Sequence, residues 1–509
     1  MDIHANDLDF TFPFDRDKYP LDSPESLQDI FAAAQHEKHF SNPRNFSDKT
    51  DIRCFDVDGM NSTWRHLDTR SLSDLLQNVS TSDHSTSSPT LSPASNEPNL
   101  RPRRLLAFFV PLSPAAGTSF GSCSAMTRDN VKELFQTLQV NPLLIMNLLG
   151  RPDYWAPQTE WHTDDDGNFL ACDFFCQHPR WNLQVQGASV SVYMRYSAAL
   201  KLTTYIISHK NGDSSIRVLT DILGSAMKTA RPDKRANVFL NDPFNIAIML
   251  STLSFEASKY HVQKLRRAIW TQINKIDDYL SDLENGDRHQ LSHFIKQLQY
   301  TSNNADSHLD NADVYIITAT AIRTIHTRLH EAISCPSRVY ERAANSISHV
   351  IESMQKQKIW LQSYKSRQNS TLMLVSILVE QQDAASNILL ATSMKQDSTS
   401  MSAIAALTMV FLPGTFTAAV LDAGIFTSSE NSTHITVTGL WWLWLILTLP
   451  LTLLVIASWW WYKKRKESKG LAPNFKTEND EGIELPRLNK NILRTWIRRG
   501  RALSRLTGG

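Results

Sequence analysis

Residues 401–421 read MSAIAALTMVFLPGTFTAAVL, an uncharged stretch that interleaves large apolar side chains with alanine, glycine and threonine. A helix needs about 20 mostly apolar residues to cross the hydrocarbon core of a bilayer. Residues 440–461, LWWLWLILTLPLTLLVIASWWW, are also uncharged and carry tryptophans at both ends, where such rings favour the lipid headgroups. The two segments predict a membrane hairpin; the alternative is a buried helical hairpin in a soluble core.

The basic residues beside these segments predict their orientation. Residues 422–439 contain no Lys or Arg, whereas the second segment is followed by Lys463-Lys464-Arg465-Lys466. Cytoplasmic flanks carry the excess of Lys and Arg, so we expect an extracytoplasmic loop and two cytosolic termini. The loop contains Asn431-Ser432-Thr433, a pattern for glycosylation at Asn431. The host membrane, plasma or internal, stays open.

The region before the spans divides by composition and residue pattern into four parts. A length of 509 residues predicts two or three domains, and a net charge of +1 gives no argument for nucleic-acid binding. Residues 1–102 are rich in Ser, Thr and Pro, which predicts a largely disordered region. Short apolar runs beginning near residues 104, 169 and 202 and an alternating apolar pattern over 189–196 predict strands, and residues 129–150 predict helix with a break at Asn141-Pro142. Residues 103–235 are therefore expected to form an α/β cytosolic domain.

The pattern becomes helical at Asp242-Pro243, a typical N-cap and first-turn pair. Residues 236–336 are expected to form a cytosolic helical region, with separate helices over 287–300 and 308–334. No Pro or Gly occurs from residue 337 until Pro413, so one stalk helix over 337–400, on the order of 100 Å long with its membrane part, should continue into the first span. The expected fold is an α+β cytosolic domain, long α-helices and a two-helix transmembrane hairpin. The remaining divisions are transmembrane helix 401–421, loop 422–439, transmembrane helix 440–462 and basic cytosolic tail 463–509.

Four residues of the first span recur at intervals of seven: Met401, Thr408, Thr415 and Asp422. This spacing places them close to one face of a helix or coiled bundle. The residues that flank that face are Ile404, Leu412 and Ala419. The face could line a pore between several copies, or it could be a small-residue packing seam between helices.

The residues around this face resemble a known family. Gln382-Asp383, residues 395–398 (KQDS) and above all residues 404–418 (IAALTMVFLPGTFTA) are similar to the CorA-like divalent-cation transporters in their divergent fungal form. The resemblance implies a homopentamer whose first spans line a central pore for passive transport of Mg²⁺ or a related divalent ion. It implies no catalysis and no cofactor besides the transported ion.

The chain departs from that family at the pore mouth. The family usually carries Gly-Met-Asn there, whereas this chain has Asp422-Ala423-Gly424; Gly59-Met60-Asn61 lies far upstream and is interpreted as a chance match. Asp422 and Gly424 are assigned to the mouth, where a ring of Asp422 carboxylates would attract and contact divalent cations. The alternative is that the chain is a non-conducting, membrane-anchored interaction or signalling protein with a CorA-like architecture.

Three further motifs are given structural interpretations. The segment from His162 to Gly167 resembles a calcium loop but is expected to be a β-turn. Cys172 and Cys176 alternate with Phe174, which favours a core strand over a zinc site. The pair His326 and His330 is expected on a polar surface.

The last basic segment, residues 488–506, interleaves apolar residues with arginines. It is expected to form an amphipathic helix on anionic cytoplasmic lipids, and a disordered basic tail is the alternative. No nucleophile with a paired base and no phosphate-binding loop is found, so an enzyme is not expected.

Overall fold

The computed structural model describes residues 26–59, 61–84, 103–152, 155–182, 188–229, 239–281, 288–333, 337–425 and 441–469. It divides into two compact units, Met1–Met373 and Leu374–Gly509. The helices are α1 Leu27–Phe40, α2 Thr69–His84, α3 Arg128–Thr137, α4 Leu144–Leu148, α5 Ser214–Thr229, α6 Asn245–Ser281, α7 Arg288–Ile333, α8 Ser337–Ile425 and α9 Trp441–Lys469. The strands are β1 Ile52–Asp58, β2 Asn61–Leu67, β3 Arg104–Pro114, β4 Ser122–Ser124, β5 Gln158–Thr163, β6 Phe169–His178, β7 Val190–Ser197 and β8 Leu202–Lys210.

The first unit is built on one sheet with the order β2-β1-β3-β8-β7-β6-β5, and β4 pairs with β3. The β3–β8 pair is parallel, and the other pairs are antiparallel. The three apolar runs that predicted strands correspond to β3, β6 and β8, and the alternating pattern corresponds to β7, so those predictions are confirmed. An α+β domain followed by long helices is therefore the architecture of this chain.

Strand β3 carries an uninterrupted apolar run over residues 105–110 because the sheet is covered on both faces. In β3, Leu105 and Phe109 pack into one core with Phe244 of the segment before α6. Leu106 and Phe108 point to the other face, where they pack with residues of α2, α3 and α4. The sheet is thus the middle layer between two helical layers, which leaves little room for an alternating polar face.

The expectation of a largely disordered region over residues 1–102 was wrong for 26–59 and 61–84. These residues form α1, β1, β2 and α2, and β1 pairs directly with β3. The apolar-run criterion missed β1 because Asp56 lies in its middle. That carboxylate is 2% exposed and forms ion pairs with Arg65 at 3.0 Å and Arg104 at 3.1 Å. The rest of residues 1–102 lies outside the described part.

Two helix boundaries differ from expectation. Residues 288–333 form the single helix α7 instead of two helices. The polar segment 301–307 favoured a break, but its Thr301 and Ala305 are buried against neighbouring structure, and packing outweighs local propensity. The continuous helix from residue 337 is confirmed as α8, which also includes residues 422–425, assigned above to the loop.

The small motifs follow their structural interpretations with one exception. Asp164 Oδ1 accepts from the backbone N–H groups of Asp166 and Asn168 in a turn between β5 and β6, which confirms the β-turn. Cys172 and Cys176 lie in the core, and burial raises the pKa of the Cys172 thiol to about 12.

The exception is the pair His326 and His330. These side chains are not on a polar surface but are buried, with 0% and 5% exposure, beside Asp242. Sequence spacing placed them on one helix face. The spacing could not show that this face points inward, towards the Asp242 carboxylate, which lies 84 residues before His326 in the sequence.

His178 at the end of β6 should make the stability of the fold dependent on pH. Burial lowers its pKa from 6.5 to about 4, so the folded chain binds its proton less readily than the unfolded chain. The folded state therefore has its full stability above pH 6.5. It loses stability as the pH falls from 6.5 to 4, because the unfolded chain gains a proton at His178 that the folded chain does not bind. We expect a loss of about 3 kcal/mol from this group. His178→Leu should flatten the dependence of the unfolding midpoint on pH in this window, and an unchanged slope would contradict the assignment.

Candidate functional site

Among the residues that the structure describes, two helices are long and apolar enough to cross a membrane: the apolar part of α8 that ends at Ala419, and residues Trp444–Tyr462 of α9. Almost no side chain in these stretches is buried within the chain. A hairpin in a soluble core would be mostly buried, because its apolar surface would be covered by other protein. The exposure therefore favours membrane helices over the soluble alternative.

Within the second unit, α8 and α9 contact each other along a seam of small and hydroxylated residues. The Thr417 and Thr448 hydroxyl oxygens are 2.7 Å apart and share a hydrogen bond. One turn earlier on α8, Pro413 is buried, and a Cβ added at Gly414 would lie 3.8 Å from the Thr448 methyl group. Small residues allow such close approach between membrane helices.

The threonines of the face proposed from the heptad spacing lie away from the Thr417–Thr448 contact, while Leu412 and Thr415 border an open groove that Leu451 and Val455 of α9 also line. Successive residues of an α-helix are rotated by about 100°, so Thr408 and Thr415 lie about 140–180° from Pro413 and Thr417. Their hydroxyls donate to carbonyls of their own helix, Thr408 to Ala405 at 2.9 Å and Thr415 to Phe411 at 3.1 Å. Neither hydroxyl takes part in the packing of α8 against α9.

The sequence-derived site residues are all on α8 where they are described. The exposed members of the set are Met401, Ile404, Thr408, Leu412, Thr415 and Ala419. Asp422 and Gly424 belong to the last turn of α8. Asn431 lies outside the described residues, as does the basic segment 488–506. Gly59 and Asn61 belong to the β1–β2 hairpin, which agrees with a chance match.

A second group of candidate ligands, Glu160, His162 and Asp173, lies at the β5–β6 pair. The Asp173 carboxylate is already used: it accepts from Arg195 at 2.6 Å, from Tyr193 at 2.8 Å and lies 2.8 Å from His162 Nε2. A guanidinium in direct contact supplies the positive charge that a metal ion would bring. This group is therefore a structural ion pair and not a cation site.

The bond between Thr417 and Thr448 provides a test of the hairpin. We expect Thr417→Val and Thr448→Val each to weaken it, with a coupling energy of about 0.6 and at most about 1.7 kcal/mol in a double-mutant cycle. The measurement is thermal unfolding of the full chain in detergent. Thr415→Val is the matched control, because that hydroxyl bonds only within α8; its coupling to Thr448→Val should be close to zero.

No family model matches this chain, and no curated protein matches it. Among solved structures, the CorA magnesium transporter from Methanocaldococcus jannaschii aligns with 79% of this chain and 96% of its own, at 10% identity and a TM-score of 0.34. The full-length CmaX protein aligns with 83% of this chain and 99% of its own, at 13% identity and a TM-score of 0.27. The ZntB cytoplasmic domain from Vibrio parahaemolyticus RIMD 2210633 aligns with 63% of this chain and 97% of its own, at 11% identity and a TM-score of 0.32. These values are too low to assign the chain to a family.

Proposed function

We propose that this protein is an integral membrane channel for divalent cations, in which copies of α8 surround a central pore. The observation that carries the proposal is the exposed face of Met401, Thr408, Leu412 and Thr415, whose threonines lie away from the Thr417–Thr448 contact. Because α8 packs against α9 through the side that carries Pro413 and Thr417, the opposite side is available to contact other copies of the chain. Its hydroxyl groups offer oxygen atoms to a passing hydrated ion.

The end of α8 supports cation attraction at the mouth. Asp422 lies in the last turn of the described helix, where free carbonyl groups and the helix dipole already give negative potential. A carboxylate is unfavourable at this end of a helix unless a cation is close. Several copies would place a ring of carbonyl and carboxylate oxygens around one axis, and such rings select cations.

The finer features of the proposal rest on the resemblance of residues 404–418 to CorA-like transporters. They are a homopentamer, Mg²⁺ as the transported ion, and passive movement down the electrochemical gradient. Orientation with both termini in the cytosol rests on the basic residues after α9. The basic tail would then bind anionic lipids on the cytoplasmic leaflet.

The direct test is metal flux into proteoliposomes that contain a Mg²⁺-sensitive dye. The purified parent chain should carry Mg²⁺ above the rate of empty vesicles. Asp422→Asn, which keeps oxygen without charge, should lower the rate less than Asp422→Ala. Mass measurement of the detergent-solubilised assembly should give five copies. An assembled parent chain without flux would overturn the channel and favour the membrane-anchored interaction protein, which the absent Gly-Met-Asn at residues 422–424 also suggests.

A further inference from the structure

Two histidines and an aspartate converge in the interior of the first unit. Asp242 lies three residues before α6, and His326 and His330 lie one turn apart on α7. The Nε2 atoms of His326 and His330 are 2.8 Å and 3.2 Å from the same oxygen, Oδ2 of Asp242. All three candidate ligand atoms lie within 4.8 Å of one another. The Asp242 and His326 side chains have 0% exposure and that of His330 has 5%.

Hydrogen bonding accounts for only part of this cluster. Asp242 Oδ1 accepts from the backbone N–H of Phe244 at 2.8 Å, and Oδ2 pairs with His326. His330 Nε2 lies 3.2 Å from Asp242 Oδ2 as an ion-pair contact, and within the described part of the chain its Nδ1 has no hydrogen-bond partner. Buried polar atoms are nearly always partnered. One cation between the three atoms would coordinate both Nε2 atoms and the carboxylate oxygen directly.

The charge balance of the cluster supports the same conclusion. A buried carboxylate is costly without a compensating positive charge, and a metal ion bound beside Asp242 would supply that charge. No Lys or Arg forms an ion pair with Asp242 among the residues that the structure describes. The surrounding groups are aromatic: Phe244 meets His326 edge-on, and Tyr340 of α8 stacks on His326 at 5.5 Å.

We propose that Asp242, His326 and His330 form a buried site for Zn²⁺ or a similar transition-metal ion. Imidazole nitrogens with one carboxylate suit zinc, whereas Mg²⁺ prefers oxygen ligands and keeps several waters. Ligand atoms around a tetrahedral zinc ion lie about 3.3 Å apart, close to the 2.8 Å and 3.2 Å found here. The site ties the segment before α6 to α7, and it is independent of the proposed ion conduction.

The test is metal analysis of the full-length chain in detergent. The protein is stripped with a chelator, incubated with Zn²⁺ and dialysed, and its zinc content is measured by mass spectrometry of the elements. The parent chain should retain about one zinc per chain, unaffected by millimolar Mg²⁺, and its unfolding midpoint should rise on zinc addition. Asp242→Asn, which keeps an acceptor oxygen for the Phe244 N–H, and His330→Gln should each lose the zinc and the shift in midpoint.

Two control variants separate this site from other metal-binding groups. His162→Gln alters the second group of candidate ligands, and Asp422→Asn alters the proposed pore mouth; both should retain the zinc of the parent. His330→Gln is the decisive variant, because the glutamine amide can keep a polar contact with Asp242 in place of the imidazole Nε2 at 3.2 Å, so the variant is expected to fold. Absence of zinc in the parent chain, or equal zinc in the parent and His330→Gln, would overturn the proposal. Cobalt in place of zinc should give a visible absorption band that His330→Gln removes.

Discussion

Replacing Thr415 by Lys should lower divalent cation flux by at least tenfold. Thr415 is on the exposed face of α8, and every copy of the chain would add one positive charge to the pore. Two unit charges about 4 Å apart repel by about 1 kcal/mol even in bulk water, and a divalent ion doubles that energy. An added barrier of about 1.4 kcal/mol lowers a rate tenfold, and the summed repulsion from several lysines exceeds this value. The measurement is Mg²⁺ uptake by proteoliposomes.

Charge reversal at the same position is the sharpest control. Thr415→Glu has a comparable insertion cost but attracts cations, so its flux should stay well above that of Thr415→Lys. Thr415→Ser keeps the hydroxyl group and should leave flux close to that of the parent. The assembly mass of each variant shows whether the charged side chain disrupted insertion instead of conduction. If properly assembled Lys and Glu variants had equal flux, Thr415 would not face the conduction path.

Replacing Asp173 by Ala should destabilise the sheet domain by about 3–5 kcal/mol. Asp173 is 1% exposed in β6, and its Oδ2 lies 2.6 Å from Nη1 of Arg195, whose side chain is 11% exposed. Removal of the carboxylate leaves a buried guanidinium without its partner and also removes the acceptor of the Tyr193 hydroxyl. We expect a fall of about 10 °C in the unfolding midpoint of the full chain.

A second substitution shows whether Asp173→Ala destabilises the domain through the unpaired charge of Arg195 or through lost packing. In Asp173→Ala with Arg195→Leu, no unpaired charge remains, so the double variant should be more stable than Asp173→Ala alone. The matched control is Glu256→Ala, since Glu256 pairs with Lys259 on an exposed helix surface at 54% and 50% exposure. That change should alter stability by about 0.5 kcal/mol or less. A comparable loss in the control would show that burial does not determine the effect.

Apolar patterning predicted the parts of the fold whose residues face apolar neighbours on both sides. The strands β3, β6, β7 and β8 were found for this reason. In contrast, β1 was missed because its buried Asp56 interrupts the apolar run, and its arginine partners come from other strands. A local pattern cannot include a charge that is neutralised from elsewhere in the sequence.

The candidate site was predictable to a similar extent. Heptad spacing identified a face on α8, but the seam of α8 with α9 depends on Thr448, which lies 31 residues from Thr417. The buried histidines of α7 were misplaced because their partner is Asp242, far away in the chain. The unrecognised seam and the misplaced histidines have the same physical origin. The sequence shows only which residues are neighbours along the chain, and the role of a polar residue depends on its neighbours in space.

The parallel pairing of β3 with β8 also determines the order of events during synthesis. Arg104 pairs with Leu202, so the centre of the sheet can close only after about a hundred further residues have been made. The apolar stretch at residue 401 follows the end of β8 by roughly 190 residues, which a ribosome adds in about 10–40 s. Long-range strand pairing takes milliseconds to seconds. The sheet therefore has time to form before the first membrane segment leaves the ribosome, and a variant that delays the β3–β8 pair should fail first by aggregation of the nascent chain.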